Sequence, residues 1–227
     1  MRSLFKKLFV ISITIMFAHN VKAQDTTNVD KAFADYVITM KGDTLACRVT
    51  FPLFSTGKDN YKTVEMKRSQ SILPEEIKEY YVSRKKILFR SVYKPGKKKP
   101  IFFRVIENGN INLYEQILTT SSPMAGTSTW SYSSTTNWYI AKGSDTVKEL
   151  KTSGWFLPRS KKGRKDDFAE MIMDKKDVYD KYIADDKFSF KQLRQLVHLY
   201  NTGEWVNDFD ISQSVVHFLQ KINVINN

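Results

Sequence analysis

Cysteine is nearly absent: Cys47 is the only one in 227 residues, so no disulfide can form within the chain. Histidine is almost as scarce, with His19, His198 and His217 alone. Neither His198 nor His217 has a Cys, His or Asp at ligand spacing on its own element, which argues against a metal centre. A nucleophile triad would have to draw on one of the same two imidazoles. Glycines number nine and prolines six. No Gly-x-Ser-x-Gly elbow occurs. Lys161-Lys162-Gly163-Arg164-Lys165 lacks the spacing and the preceding strand of a phosphate-binding loop. Acidic side chains are outnumbered, 24 against 36 basic ones. Past residue 23 no apolar run approaches the roughly 20 residues that a helical membrane span needs.

The first 24 residues carry the clearest signal that is present. Arg2, Lys6 and Lys7 precede the apolar run Leu8–Ala18, and Val21-Lys22-Ala23-Gln24 follows. A basic start, a short apolar core and small residues two apart before a polar one make a secretory leader. Cleavage is expected after Ala23, leaving Gln24 as the mature N-terminus. The leader takes Arg2, Lys6, Lys7 and Lys22 and no acid, so the net charge falls from +12 to +8. No cysteine follows the apolar run, so the product is expected to be released rather than lipid-anchored, in the periplasm or outside the cell. Nucleic acid is a poor partner for an exported chain. An anionic glycolipid, an acidic polysaccharide or an acidic protein face fits the positive balance better.

From Asp35 to about Phe156 the period is two, broken by turn residues. Tyr36–Met40 and Leu45–Phe51 flank Lys41-Gly42-Asp43-Thr44, a tight reversal that favours glycine at positive φ. Leu45, Cys47, Val49 and Phe51 then share one face, which makes Cys47 a core thiol. Further strands are expected at Tyr61–Met66, Ile77–Val82, Ile87–Tyr93, Ile101–Glu107 and Ile111–Leu118, and again around Tyr139–Val147. Asn108-Gly109 is the strongest short hairpin signal. These elements predict an antiparallel β roll or small barrel over residues 24–157. Thr119–Asn137 has 12 Ser or Thr among 19 residues and reads as a long surface loop. Trp130 and Tyr132 make it a candidate contact loop, since aromatics among small hydroxyl residues form adaptable binding surfaces.

The chain between Gly154 and Lys165 reads as a boundary, and residues 164–227 as a helical C-terminal segment. Phe168, Met171 and Ile172 share a helical face, as do Val178, Tyr179, Tyr182 and Ile183. Ser189 and Gln192 have the spacing of a capping box, with Phe188 and Leu193 as its hydrophobic staple. That helix turns Leu193, Leu196, Val197 and Tyr200 inward and stops near Asn201-Thr202-Gly203. Val215, Phe218, Leu219 and Ile222 are spaced for one more short helix. The fold class expected is therefore α+β, a sheet followed by helices.

Two basic turns stand out as candidate anion contacts: Arg84, Lys85 and Lys86 on one hairpin, Lys97, Lys98 and Lys99 on the next. At one end of the sheet they would form a single cationic patch, attractive to an anionic membrane. The plainer reading is solvated turns that discourage edge pairing. Two carboxylates suffice for glycosidase chemistry, but Glu75 and Glu76 read as turn residues and Asp208 and Asp210 as a polar linker.

Val37-Ile38-Thr39-Met40-Lys41-Gly42-Asp43-Thr44-Leu45 resembles the opening hairpin of secreted proteins of unknown function from Bacteroidetes-type bacteria. Leu73-Pro74-Glu75-Glu76-Ile77-Lys78-Glu79-Tyr80-Tyr81 and Asn108-Gly109-Asn110-Ile111-Asn112-Leu113-Tyr114 resemble the same group, and Phe190–Asn201 looks like its last helix. The resemblance implies a common fold and an envelope with an outer membrane, and it carries over no functional residues. Asp43-Thr44-Leu45 and Asp145-Thr146-Val147 resemble the O-glycosylation signal of those bacteria. Taken together, the expected role is an exported, non-catalytic envelope interaction or accessory protein with no cofactor. A binder of an anionic glycan or lipid headgroup is the alternative, and a hydrolase comes third.

Overall fold

A computed structural model describes residues 33–51, 58–123, 130–143, 146–154, 160–185 and 187–207. The leader, His217, Asp208, Asp210 and the expected tail helix lie outside the described residues. The described residues from Ala34 to Asn207 belong to one compact unit.

Among the described residues ten strands form one open antiparallel sheet and three helices follow it, so the protein is α+β. The strands are β1 (Asp35–Thr39), β2 (Thr44–Thr50), β3 (Asn60–Lys62), β4 (Gln70–Ser71), β5 (Ile77–Val82), β6 (Ile87–Val92), β7 (Ile101–Glu107), β8 (Ile111–Pro123), β9 (Trp130–Lys142) and β10 (Lys148–Thr152). Their order is β10-β9-β8-β7-β6-β5-β1-β2-β3-β4. Short turns make sequence neighbours into sheet neighbours, as antiparallel pairing allows. Gly42 (φ 94°) and Gly143 (φ 62°) occupy the left-handed region in two of these reversals, where a side chain would be strained.

The sheet rolls rather than closing as a barrel. Tyr93, just past β6, forms a parallel bridge with Thr146, just before β10, and the Val147 N–H donates to the Tyr93 carbonyl at 3.1 Å. This contact brings together strands that stand four places apart in the order. Inside the bend sit Val92, Phe103, Tyr114, Tyr139, Ala141 and Val147. A second core fills the other end of the sheet, with Val37, Cys47, Val49, Tyr80 and Val82 at its centre. Cys47 is fully buried, as its alternation with Leu45 and Val49 requires. Asp35 ties this end together: its carboxylate accepts from the Val49 N–H at 2.9 Å, the Ser83 N–H at 2.8 Å and the Ser83 hydroxyl at 2.7 Å.

The outer face of β8, β9 and β10 carries the helices α1 (Lys161–Ile172), α2 (Lys176–Ala184) and α3 (Phe190–Thr202). Ile111, Leu113, Trp138, Ile140 and Leu150 from the sheet pack against Phe168, Ile172, Val178, Leu193, Leu196 and Tyr200. Ser189 caps α3 by accepting from the Gln192 N–H at 3.1 Å, and Gly203 (φ 80°) ends it with its N–H on the Leu199 carbonyl at 2.8 Å. The capping box is only half made, because the Gln192 amide donates instead to the Asp185 carbonyl. Phe188 holds φ 48° while fully buried in the core, so packing of its ring offsets the backbone strain.

Three expectations about the elements need correction, the first being the strand expected over Tyr61–Met66, which is only Asn60–Lys62. The basic run expected as a linker is helical: α1 starts at Lys161, capped by the Ser160 hydroxyl accepting from the Gly163 N–H at 3.1 Å. Ile183, expected on the buried face of α2, is exposed. No helix among the described residues is long and apolar enough to cross a membrane.

Candidate functional site

The two basic turns flank β6, one at each end, because successive hairpins of an antiparallel meander reverse at opposite ends of their shared strand. Six residues of strand hold them about 20 Å apart. The single cationic patch does not form. The first turn is also folded onto the protein. Ser83–Lys85 makes a 3₁₀ turn, Lys86 closes it at φ 52°, Lys85 Nζ lies 4.1 Å from the centre of the Phe51 ring, and Arg84 reaches the Val49 carbonyl at 3.4 Å. Lys97, Lys98 and Lys99 stay exposed in their loop, with Lys99 3.2 Å from Glu75. An exposed pair of that kind is screened by solvent and contributes little.

A groove of about 900 Å³ opens where the β7–β8 turn meets α3. Arg90 sits in its wall, donating to Glu79 from Nε at 2.9 Å and to Asn108 and Asn112 from Nη1 at 3.1 and 3.2 Å. Burial works against its charge, but hydrogen bonds with Tyr114 and Glu79 outweigh that and raise its pKa above the ordinary arginine value. Opposite, Lys142 Nζ donates to Asp174 and to the Met171 carbonyl, both at 2.8 Å, and the Tyr200 hydroxyl donates to Asp174 at 2.8 Å. The Lys142 and Tyr200 hydrogen bonds hold the Asp174 carboxyl below the usual carboxylate range. The charged groups are paired within each wall, Arg90 with Glu79 inside the sheet and Lys142 with Asp174 between sheet and helices, and the second pair clamps the helices to the sheet. Among the described residues no three His, Cys, Asp or Glu side chains converge as a metal site would require.

Asn201 completes this clamp. Its amide accepts from the Ile111 N–H at 3.0 Å and donates to the Ile111 carbonyl at 2.7 Å, taking the place of a neighbouring strand. Gly109 makes room for it: a Cβ there would lie 2.5 Å from Asn201 Cγ. Nearby, Glu107 receives Arg194 at 2.7 Å and His198 Nδ1 at 3.1 Å, so His198 belongs to an ion-pair cluster on the flank of α3.

The largest departure from expectation is the Ser/Thr-rich segment, whose described residues, 119–123 and 130–137, are strand. β8 and β9 pair without a break from Ile111↔Lys142 to Pro123↔Trp130. β7 accompanies β8 only as far as Glu115, and β10 accompanies β9 only to Asn137, with Ser153 adding two bonds to Thr136, its N–H donating to the Thr136 carbonyl and its hydroxyl oxygen accepting from the Thr136 N–H, both at 2.9 Å. Beyond those points the ribbon continues for about 20 Å. Among the described residues no third strand accompanies residues 117–123 or 130–134. Trp130 (56% exposed) and Tyr132 (51%) stand two residues apart on one face, with Pro123 and Ser121 opposite them. Residues 117–123 and 130–136 carry no charged side chain. Both expected contact aromatics are therefore brought together and displayed.

Comparison with family models, with curated proteins and with solved structures gives no match.

The first turn of α1 is a further concentration of charge. Lys161, Lys162, Arg164 and Lys165 crowd a helix end that repels cations. Lys151 of β10 joins them, its pKa lowered by burial and by Lys161 and Arg164. Arg164 is buried and donates to the Leu150 carbonyl at 3.1 Å. The basic run was visible in the sequence, but its place on a helix and the approach of Lys151 were not, and the groove's members lie far apart in the chain. The one available hint was Ser160, a cap residue standing directly before the basic run.

Proposed function

We propose that this chain is an exported, non-catalytic interaction module of the cell envelope, and that the β8–β9 ribbon is its contact surface. The leader pattern and the resemblance to secreted envelope proteins support the location. The uncharged ribbon with Trp130 and Tyr132 exposed on one face carries the contact reading. Aromatic side chains are the residues most enriched where binding energy concentrates, and charge is depleted there. The pairing of Arg90 with Glu79 and of Lys142 with Asp174 supports a structural rather than a catalytic role for the groove.

A photoreactive amino acid in place of Tyr132, installed in cells producing the protein, tests this. One discrete product with an envelope component is expected, reduced at least tenfold by Trp130→Ser and not formed from Lys98. Crosslinking at Lys98 alone, or none at position 132, contradicts the reading. A second reading, binding of an anionic ligand, is favoured by the cluster of Lys151, Lys161 and Lys162. It expects affinity that falls steeply between 0.05 and 0.5 M salt, as surface electrostatics do.

A further inference from the structure

The structure points to a second copy of this chain as an occupant of the ribbon. We propose that the outer edge of β9, Trp130–Ser134, pairs antiparallel with the same edge of a partner, joining two ribbons into a four-stranded sheet. The inference rests on the reading of the ribbon as the contact surface and names what it meets.

Three observations carry it. First, a two-stranded ribbon exposed on both faces is marginal in water, and a third and fourth strand supply the missing neighbours. β8 and β9 nevertheless keep an unbroken ladder out to Pro123↔Trp130. Second, that edge lacks every usual guard against pairing. Trp130-Ser131-Tyr132-Ser133-Ser134 contains no lysine, no proline and no charge, and its register with β8 shows no bulge. Third, the chain is strongly basic, at +12 overall and +8 without its leader, so two bodies repel one another. The ribbon carries Tyr132, the centre of that edge, about 20 Å from the nearest charge on its own strands, Glu115, which pairs with Trp138. That is more than twice the screening length of about 8 Å at physiological salt. An uncharged arm is where two basic copies can meet.

The pairing is self-complementary, as a twofold axis demands. With the axis at Tyr132, all five free residues find partners, Trp130 lying across from the partner's Ser134. The two Tyr132 rings then face each other, and each Trp130 is their diagonal neighbour on the same face, within reach for aromatic side chains. The four exposed rings become one patch.

Sedimentation velocity of the mature chain, residues 24–227, from 1 to 100 µM in 0.15 M salt tests the proposal. A concentration-dependent dimer is expected. Ser133→Lys puts a like charge on either side of the axis and should weaken dimerisation at least tenfold. Thr120→Lys places the same charge on the ribbon's other edge, since Thr120 pairs with Ser133 inside the ribbon, and should leave the dimer unchanged. Circular dichroism confirms that each variant is folded. A monomer at every concentration overturns the proposal, as does a dimer that survives Ser133→Lys or is lost equally in Thr120→Lys. A monomer that still crosslinks an envelope component from position 132 overturns the dimer alone. A dimer without such a crosslink overturns the envelope partner alone.

Discussion

Asn201→Ala should be among the most destabilising single changes outside the apolar core. The side chain makes two hydrogen bonds to the backbone of Ile111, at 3.0 and 2.7 Å, and Ile111 is fully buried. Truncation leaves an amide N–H and a carbonyl beneath α3 without their partner. An unsatisfied buried polar group costs about 1–3 kcal/mol, and water reaching the site offsets part of the sum, so a loss of about 2–4 kcal/mol is expected. Urea unfolding followed by tryptophan fluorescence measures it, with an unchanged slope showing that only stability moved. Gly109→Ala should have a similar cost, because its Cβ would displace the Asn201 amide. The double variant should then lose little more than either single one, since both remove the same pair of bonds. Losses below about 0.5 kcal/mol for Asn201→Ala, or additive losses in the double variant, would refute the strand-mimic role of this amide.

Three other outcomes follow from the same contacts. Arg90→Lys keeps the charge but loses the planar fork that reaches Glu79, Asn108 and Asn112; a loss of about 2 kcal/mol in urea unfolding is expected, and no loss would contradict the fork's role in tying β5 and β6 to the β7–β8 turn. Burial, reinforced by the charge of Asp35, pushes the Cys47 thiol up to about 12, so an aromatic disulfide reagent at pH 8 should react only as fast as the protein opens. Immediate stoichiometric labelling of the native protein would contradict that packing. Asp174 has a lowered folded pKa, so its contribution is present above the unfolded value and lost as pH falls through the folded one. Asp174→Asn should lower Tm at pH 7 and make the fall in Tm towards pH 2 shallower; parallel curves in calorimetry would contradict it.

The strands were legible because their turns announce themselves. Gly42 and Asn108-Gly109 mark reversals, and alternation around Cys47 identifies the buried face. The ribbon was misread for a physical reason. Serine and threonine serve loops and strands alike, and what holds residues 117–123 in a strand is the ladder to 130–136, a partner that composition does not reveal. The alternation Trp130-Ser131-Tyr132-Ser133 was the available clue. The supposed cationic patch failed on topology: β6 itself separates Arg84–Lys86 from Lys97–Lys99. Helix α3 was readable from Ser189, Gly203 and its apolar spacing, but Asn201 was not, because its partner Ile111 lies 90 residues away. Local chemistry decides caps and turns, whereas the clamp exists only once the helices have docked.

The proposed contact surface can be weighed directly by binding the purified protein, produced without its expected leader, to isolated envelopes at 0.15 M salt. Trp130→Ser/Tyr132→Ser should reduce the bound fraction at constant protein concentration as a loss of at least tenfold in affinity, about 1.4 kcal/mol, while Lys97→Ser/Lys98→Ser/Lys99→Ser leaves it within twofold. Full binding by the aromatic double variant, or its loss in the lysine triple variant, would contradict a ribbon-borne contact and place the binding surface on the basic turns.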